Sequence, residues 1–229
     1  MSRKTSTLRG FTLVELMLAM SFVSILFMAV ALTVLHVGNT YNRGLTMKAV
    51  NQTGRDISDS LKRDLSASRH SEITFIAQST AGAGNLNRLC LGSFTYVWNY
   101  GAAVEAGSAM RYSDTNRPIL FSRLSDSGGE FCKQTGSTYP SGFTQAGATE
   151  LLENQNLRLA MHAFSFSPVV VDESSDQAAY SVSFTLGTND QAALLSGNQQ
   201  CRPPDDDASN ADFCSVNTFD MIIRAGGAL

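Results

Sequence analysis

Hydrophobic and polar positions change period twice along this chain. From Leu16 to Asn42 no residue carries a formal charge, and apolar side chains recur without a polar face. Leu16 to Leu35 alone is twenty residues. At 1.5 Å per residue that length crosses a hydrocarbon core of about 30 Å. The pattern then narrows to a stripe: Val50, Ile57, Leu61 and Leu65 are spaced seven, four and four apart, the signature of one buried helix face. Arg55, Asp59 and Arg63 lie four apart on the other face, where they can pair. Gly38, Gly44 and Gly54 weaken the run and favour a bend. The pattern predicts one bent helix from Phe11 to Ser68, its second part (38–68) packing on a globular domain.

After Ser68 the period falls to two. "ITFIA" (73–77), "LCLGSFTYVW" (89–98), "SAMRYS" (108–113) and "PILFSRL" (118–124) read as strands. "NLRLAMHAFSFSP" (156–168) alternates through Leu157, Leu159 and Met161, then changes phase to Phe164 and Phe166, as a bulged strand does. "AYSVSFTLG" (179–187) puts Tyr180, Val182, Phe184 and Leu186 on one face, and "NTFDMIIRA" (217–225) is the last strand. Pro118 and Pro168 fit strand edges or ends. Loops at 79–87, 125–149 and 197–213 are long enough to be functional or mobile. The expected fold is α+β: one long N-terminal helix, membrane-spanning in its first half, packed on an antiparallel sheet in a β-rich head of residues 69–229.

Charge and cysteine placement give the segments a direction. Residues 1–10 hold Arg3, Lys4 and Arg9 and no acid, so the other residues carry 14 basic against 20 acidic side chains. The positive-inside rule sets the leader on the cytoplasmic side and exports the remainder. An acidic body does not coat nucleic acid by bulk electrostatics. Cys90, Cys132, Cys201 and Cys214 all lie beyond the apolar segment, with no CxxC spacing. In an exported domain they read as two disulfides. Four cysteines allow three pairings. The short Pro- and Asp-rich loop between Cys201 and Cys214 favours that pair, with Cys90–Cys132 as the second.

Glu15 is the exception inside the apolar helix. A carboxylate in such a place is costly unless paired, and it marks function more often than not. An interfacial acid that snorkels into headgroups is the plainer reading. If the chain is cut after Gly10, however, Phe11 becomes the N-terminus, and its α-amine is a cation four residues from Glu15 on one helix face. Around these residues "RGFTLVELMLAM" resembles the class III signal of type IV pilins and type II secretion pseudopilins. The resemblance implies a prepilin leader at 1–10, cleavage after Gly10 by a prepilin peptidase, N-methylation of Phe11, and assembly through Phe11 and Glu15. It further implies that residues 11–37 form a transmembrane and polymerisation helix, and that Glu15 pairs with the N-terminal amine of a neighbouring subunit in a filament. The Gly and Pro that break this helix in many major pilins fall at Ser24 and Leu32 here, so local melting is not implied.

"GRDISDSLKRDLSAS" (54–68), through Arg63, Asp64 and Leu65, and "LLENQNLRLAMHAFSF" (151–166) resemble the large minor pilins and J-type pseudopilins. That implies a subunit that primes assembly or sits at the filament tip. Implied partners are other pilins or pseudopilins, the peptidase and an inner-membrane assembly platform. The implied location is single-pass in the cytoplasmic membrane with the head outside, and afterwards a pilus or pseudopilus. A tip adhesin or DNA-uptake subunit using loops 125–149 or 203–212 is the alternative, as is a type II secretion pseudopilin. No enzyme is expected: no nucleophile–base grouping appears, and His36, His70 and His162 are not spaced as metal ligands. His70, near the helix end, suits the helix dipole. Among cofactors only calcium is considered, at Asp205, Asp207, Asn210 and Asp212, against the plainer reading of an acidic solvated loop. Tyr96, Trp98 and Tyr100 alternate on a strand and read as core. The mature protein is expected to begin at methylated Phe11. Mass spectrometry of its N-terminal peptide checks this, and an intact Met1 in assembled filaments contradicts it.

Overall fold

The computed structural model describes residues 12–84, 86–152, 158–190, 192–195, 200–203 and 213–226. The chain divides into two units, residues 1–42 and 43–229. Helix α1 (Leu13–Ala67) crosses that division. In the second unit Val50, Ile57, Leu61 and Leu65 are all fully buried, as their spacing predicts. Arg55, Asp59 and Arg63 form no ion pair with one another.

The rest of the second unit is α+β, but its strands form two antiparallel sheets where one was expected. The first has the order β1 (Ile73–Ile76), β2 (Asn87–Leu91), β3 (Phe94–Trp98), β4 (Phe121–Ser125), β5 (Ala148–Glu150). The second has the order β6 (Leu159–Asp172), β7 (Gln177–Thr188), β8 (Val216–Ala225). A short helix α2 (Gly101–Glu105) follows β3. The run 89–98, expected as one strand, is a hairpin. Gly92 takes φ +77° and turns the chain between β2 and β3, which only glycine does without strain. Residues 108–113 form no strand; Arg111 makes a single bridge to Pro118. The phase change in β6 is a register shift between Met161 and Ala163, and a second shift falls at Pro168 on this edge strand.

The two sheets and α1 share one core. Trp98 lies at its centre, 4.4 Å from the Phe164 ring and 5.4 Å from Phe121, with Phe75 stacked at 6.2 Å. Phe164 continues the cluster to Phe184 on β7, and Phe184 to Phe219 on β8. Gly54 of α1 is the point of closest approach to Phe219: a Cβ there would collide with the ring. Asn217 Nδ2 donates to Asn51 Oδ1 (2.7 Å), and Gly226 N donates to Ser68 O (2.7 Å), so α1 is tied to β8 at both ends.

One polar cluster pins α1 to the first sheet. Asp64 is buried and accepts three hydrogen bonds: from Tyr96 Oη (2.7 Å), Arg123 Nε (2.6 Å) and Arg123 Nη2 (3.1 Å). The bidentate geometry holds the guanidinium charged, and the Asp64 bond raises the Arg123 pKa. Arg123 also lies 3.4 Å above the Phe94 ring. Burial, reinforced by the bond to Asp64, pushes the Tyr96 hydroxyl well above its ordinary range. Removing the carboxylate leaves a cation and a phenol without their partner. Asp64→Ala is expected to lose about 3 kcal/mol of head stability. Asp64→Ala with Arg123→Met is expected to lose less than the two single variants added together. Denaturant unfolding of the detergent-solubilised full chain checks both.

Candidate functional site

The first turn of α1 is a capping box. Thr12 Oγ1 accepts from Glu15 N (3.3 Å), while Glu15 Oε2 accepts from Thr12 N (3.0 Å) and Thr12 Oγ1 (2.8 Å). Glu15 therefore has a local partner in its own chain, at the helix end where the macrodipole favours an anion. The sequence reading passed over this role of Thr12, although the Thr-x-x-Glu spacing of residues 12–15 carries the signal. Gly10 and Phe11 lie outside the described residues, so the cleavage point and the mature amine have no geometry here.

Beyond that turn, residues 16–42 of α1 present a mostly apolar surface. Leu18, Phe22, Ile25, Phe27 and Met28 are each at least two-thirds exposed or close to it, and none of the large side chains of this stretch is buried. α1 is long and apolar enough to cross a membrane. The serine and threonine hydroxyls of this stretch are satisfied inside the helix. Ser21, Ser24, Thr33 and Thr40 each donate to the carbonyl four residues back, at 2.8 to 3.0 Å. These four hydroxyls then need no water, as lipid requires of a spanning helix.

Among its described residues the head gathers few groups of a reactive or binding kind. Tyr96 and Trp98 are fully buried and Tyr100 is half-buried, so this strand offers no stacking surface. His70 is not on α1, which ends at Ala67; it opens a 3-10 turn (His70–Glu72) and hydrogen-bonds Tyr180 Oη. His162 meets the Thr188 carbonyl at 3.1 Å, and burial lowers its pKa. Among the described residues no three His, Cys, Asp or Glu side chains gather as a metal site. Asp205, Asp207, Asn210 and Asp212 lie outside the described residues.

The loop at 125–149, considered above as a binding loop, is strapped to the outer face of the first sheet. Cys90 on β2 is bonded to Cys132, with the Cα atoms 6.2 Å apart. Arg88, on the same face of β2 and fully buried, donates from Nη1 to the carbonyls of Phe131 (2.9 Å) and Pro140 (2.6 Å). The rings of Tyr139 and Phe143 flank its guanidinium, and burial lowers its pKa to about 10. Buried Asp126 accepts from Thr95 Oγ1 (2.6 Å), Glu130 N (2.8 Å) and Phe131 N (3.2 Å). Under the strap lies a second core of Leu86, Val97, Tyr112, Ile119, Leu124 and Phe143. The other disulfide, Cys201–Cys214, spans 13 residues and packs with Ala193 and Leu194.

At the margin of that core Glu150 accepts from Phe121 N (2.7 Å), Ser122 Oγ (2.8 Å) and Tyr112 Oη (3.3 Å). These contacts close the end of β5. Comparison with protein-family models, with curated proteins and with solved structures finds no match.

Burial, with the Glu150 charge beside it, pushes the Tyr112 hydroxyl up to about 12 from its ordinary 10.0. A raised acid pKa means that the folded state holds the proton more tightly than the unfolded chain does. The stabilisation is complete below pH 10 and is lost as pH rises through about 12. Head stability is expected to fall across that window, and Tyr112→Phe to flatten the fall. Unfolding midpoints measured alongside phenolate absorbance check this; phenolates forming at the ordinary pH before unfolding contradict it.

Proposed function

We propose that this chain is a pilin-like assembly subunit, a minor pilin or pseudopilin. It is exported with its head outside the cytoplasmic membrane, cut after Gly10, and assembled through residues 11–37 into a type IV pilus or a type II secretion pseudopilus. The observation that carries the reading is the lone charge of the apolar helix. Between Leu13 and Asn42 the only Asp, Glu, Lys or Arg is Glu15, at the fifth position after the proposed cut. It heads a surface of exposed leucine, phenylalanine and valine side chains that water does not favour. Such a helix needs lipid first and other apolar helices afterwards, and an acid at its head selects a neighbour that offers a cation.

The head fits a subunit placed once at an end better than one repeated along a shaft. Long loops enlarge it, a strap covers the outer face of the first sheet, and α1's buried stripe is committed to the head's own core. A tip-binding role gains less support, because the strand aromatics are buried and loop 125–149 serves as a cover.

Glu15→Gln separates charge from helix capping. Glutamine at the third helical position still completes a capping box, so the helix start is retained while the anion is removed. Incorporation into the sheared filament or pseudopilus fraction is expected to drop about tenfold, equivalent to about 1.4 kcal/mol of lost pairing. Immunoblotting that fraction against total membrane protein reads the ratio. Incorporation at the native level removes the proposed role of the charge.

A further inference from the structure

Among the described residues the outer edge of β8 has no strand beside it, and it carries a pattern that the fold described above does not use. β8 is ten residues long, has no proline, and runs in unbroken register with β7. The other sheet edges are blunted: β1 has four residues, β5 has three, and β6 carries two register shifts and Pro168. A long, straight, unguarded edge is a pairing template, and proteins rarely leave one without use.

The side chains on its outward face point the same way. Asp220 lies across from Ser183, Ile222 from Ser181, and Arg224 from Ala179. Beyond them on β6 stand Ser165, Ser167 and Val170. Ile222 is 72% exposed amid serines, and neither charge faces an opposite charge across the sheet. Arg224 reaches only the Gln177 side-chain carbonyl. α1 meets β8 from the opposite face, through Asn217 and Phe219, so it does not cover this surface.

We propose that β8 pairs antiparallel with β8 of a second copy of this chain, about a two-fold axis at Ile222. That register sets Asp220 opposite Arg224 of the other copy, and Arg224 opposite its Asp220, on either side of an Ile222–Ile222 contact. Each outward residue then gains the partner that its own sheet withholds. A slip of two residues leaves both charges facing neutral groups, and a slip of four sets like charges opposite each other. The charges therefore select the register as well as the partner. The two-fold also reverses the residues of α1 that run alongside β8. This suits copies that meet head to head from facing surfaces and not neighbours packed side by side. An edge contact of one strand per copy falls at the low end of interface areas, below about 1,200 Å², so the association is reversible. The inference stands apart from the pilin reading: it uses only the head.

The test uses the full chain in detergent micelles with Ile222→Cys, oxidised mildly and resolved on a non-reducing gel. The four native cysteines are all in disulfides and do not compete. A covalent dimer is expected. Adding Asp220→Arg or Arg224→Asp is expected to lower its yield about fivefold or more. Mixing those two variants, distinguished by size tags, is expected to restore a covalent heterodimer. A dimer yield that ignores both charge reversals reflects association through α1 alone and overturns the proposal. So does an equal yield from Ser183→Cys, a failure of the mixed variants to rescue, or no dimer at all, as when the chain's own segment covers the edge.

Discussion

A single helix carries two different surfaces along its length, and this contrast organises the molecule. Up to Asn42, α1 satisfies the hydroxyls of Ser21, Ser24, Thr33 and Thr40 internally and exposes mostly apolar side chains. From Thr46 onward it buries one stripe and exposes the remainder, as a helix on a protein core does. Hydrophobicity alone cannot hold such a helix in one register against a sheet, because apolar contacts are non-directional. The Asp64–Tyr96–Arg123 cluster supplies direction. Its three hydrogen bonds fix both the rotation and the axial position of α1 against β3 and β4.

The head closes around this arrangement from both sides of the first sheet. On the inner face Trp98 and its aromatic neighbours join both sheets to α1. On the outer face a long loop would leave Val97, Leu86 and Leu124 in water; Arg88, Asp126 and the Cys90–Cys132 bond hold it down instead. Arg88 is an unusual strap, since a buried guanidinium normally needs an anion. Here two carbonyls and two aromatic faces stand in, Nε and Nη2 have no hydrogen-bond partner among the described residues, and burial lowers the pKa to about 10.

Much of this was legible in the residues, and the misses share physical causes. The buried stripe of α1, the phase change in β6 and the buried face of β7 follow from periodicity, and each is present. The break at Gly92 was hidden because both faces of β2 and β3 are buried, so the hydrophobic run does not dip at the turn. Residues 108–113 alternate like a strand, yet their apolar members Met110 and Tyr112 pack under the loop as irregular chain. The division into two sheets depends on long-range pairing that no local window contains. At the helix start, Thr12 was readable from its spacing to Glu15, whereas the role of Asp64 was not. A buried acid in a polar run looks like any solvated one until Tyr96 and Arg123, 32 and 59 residues away, are brought to it.

Glu15 thus has two uses for one carboxylate: it caps its own helix, and in the proposed assembly it attracts a neighbour's amine. Both depend on the stretch behind it lying in lipid before assembly. The most direct measurement of that central claim is labelling of single cysteines by a membrane-impermeant maleimide in right-side-out membrane vesicles. Leu26→Cys and Val30→Cys are expected to stay unlabelled until the membrane is dissolved, while Tyr41→Cys labels at once from outside. Rapid labelling of Leu26→Cys in intact vesicles would contradict the account.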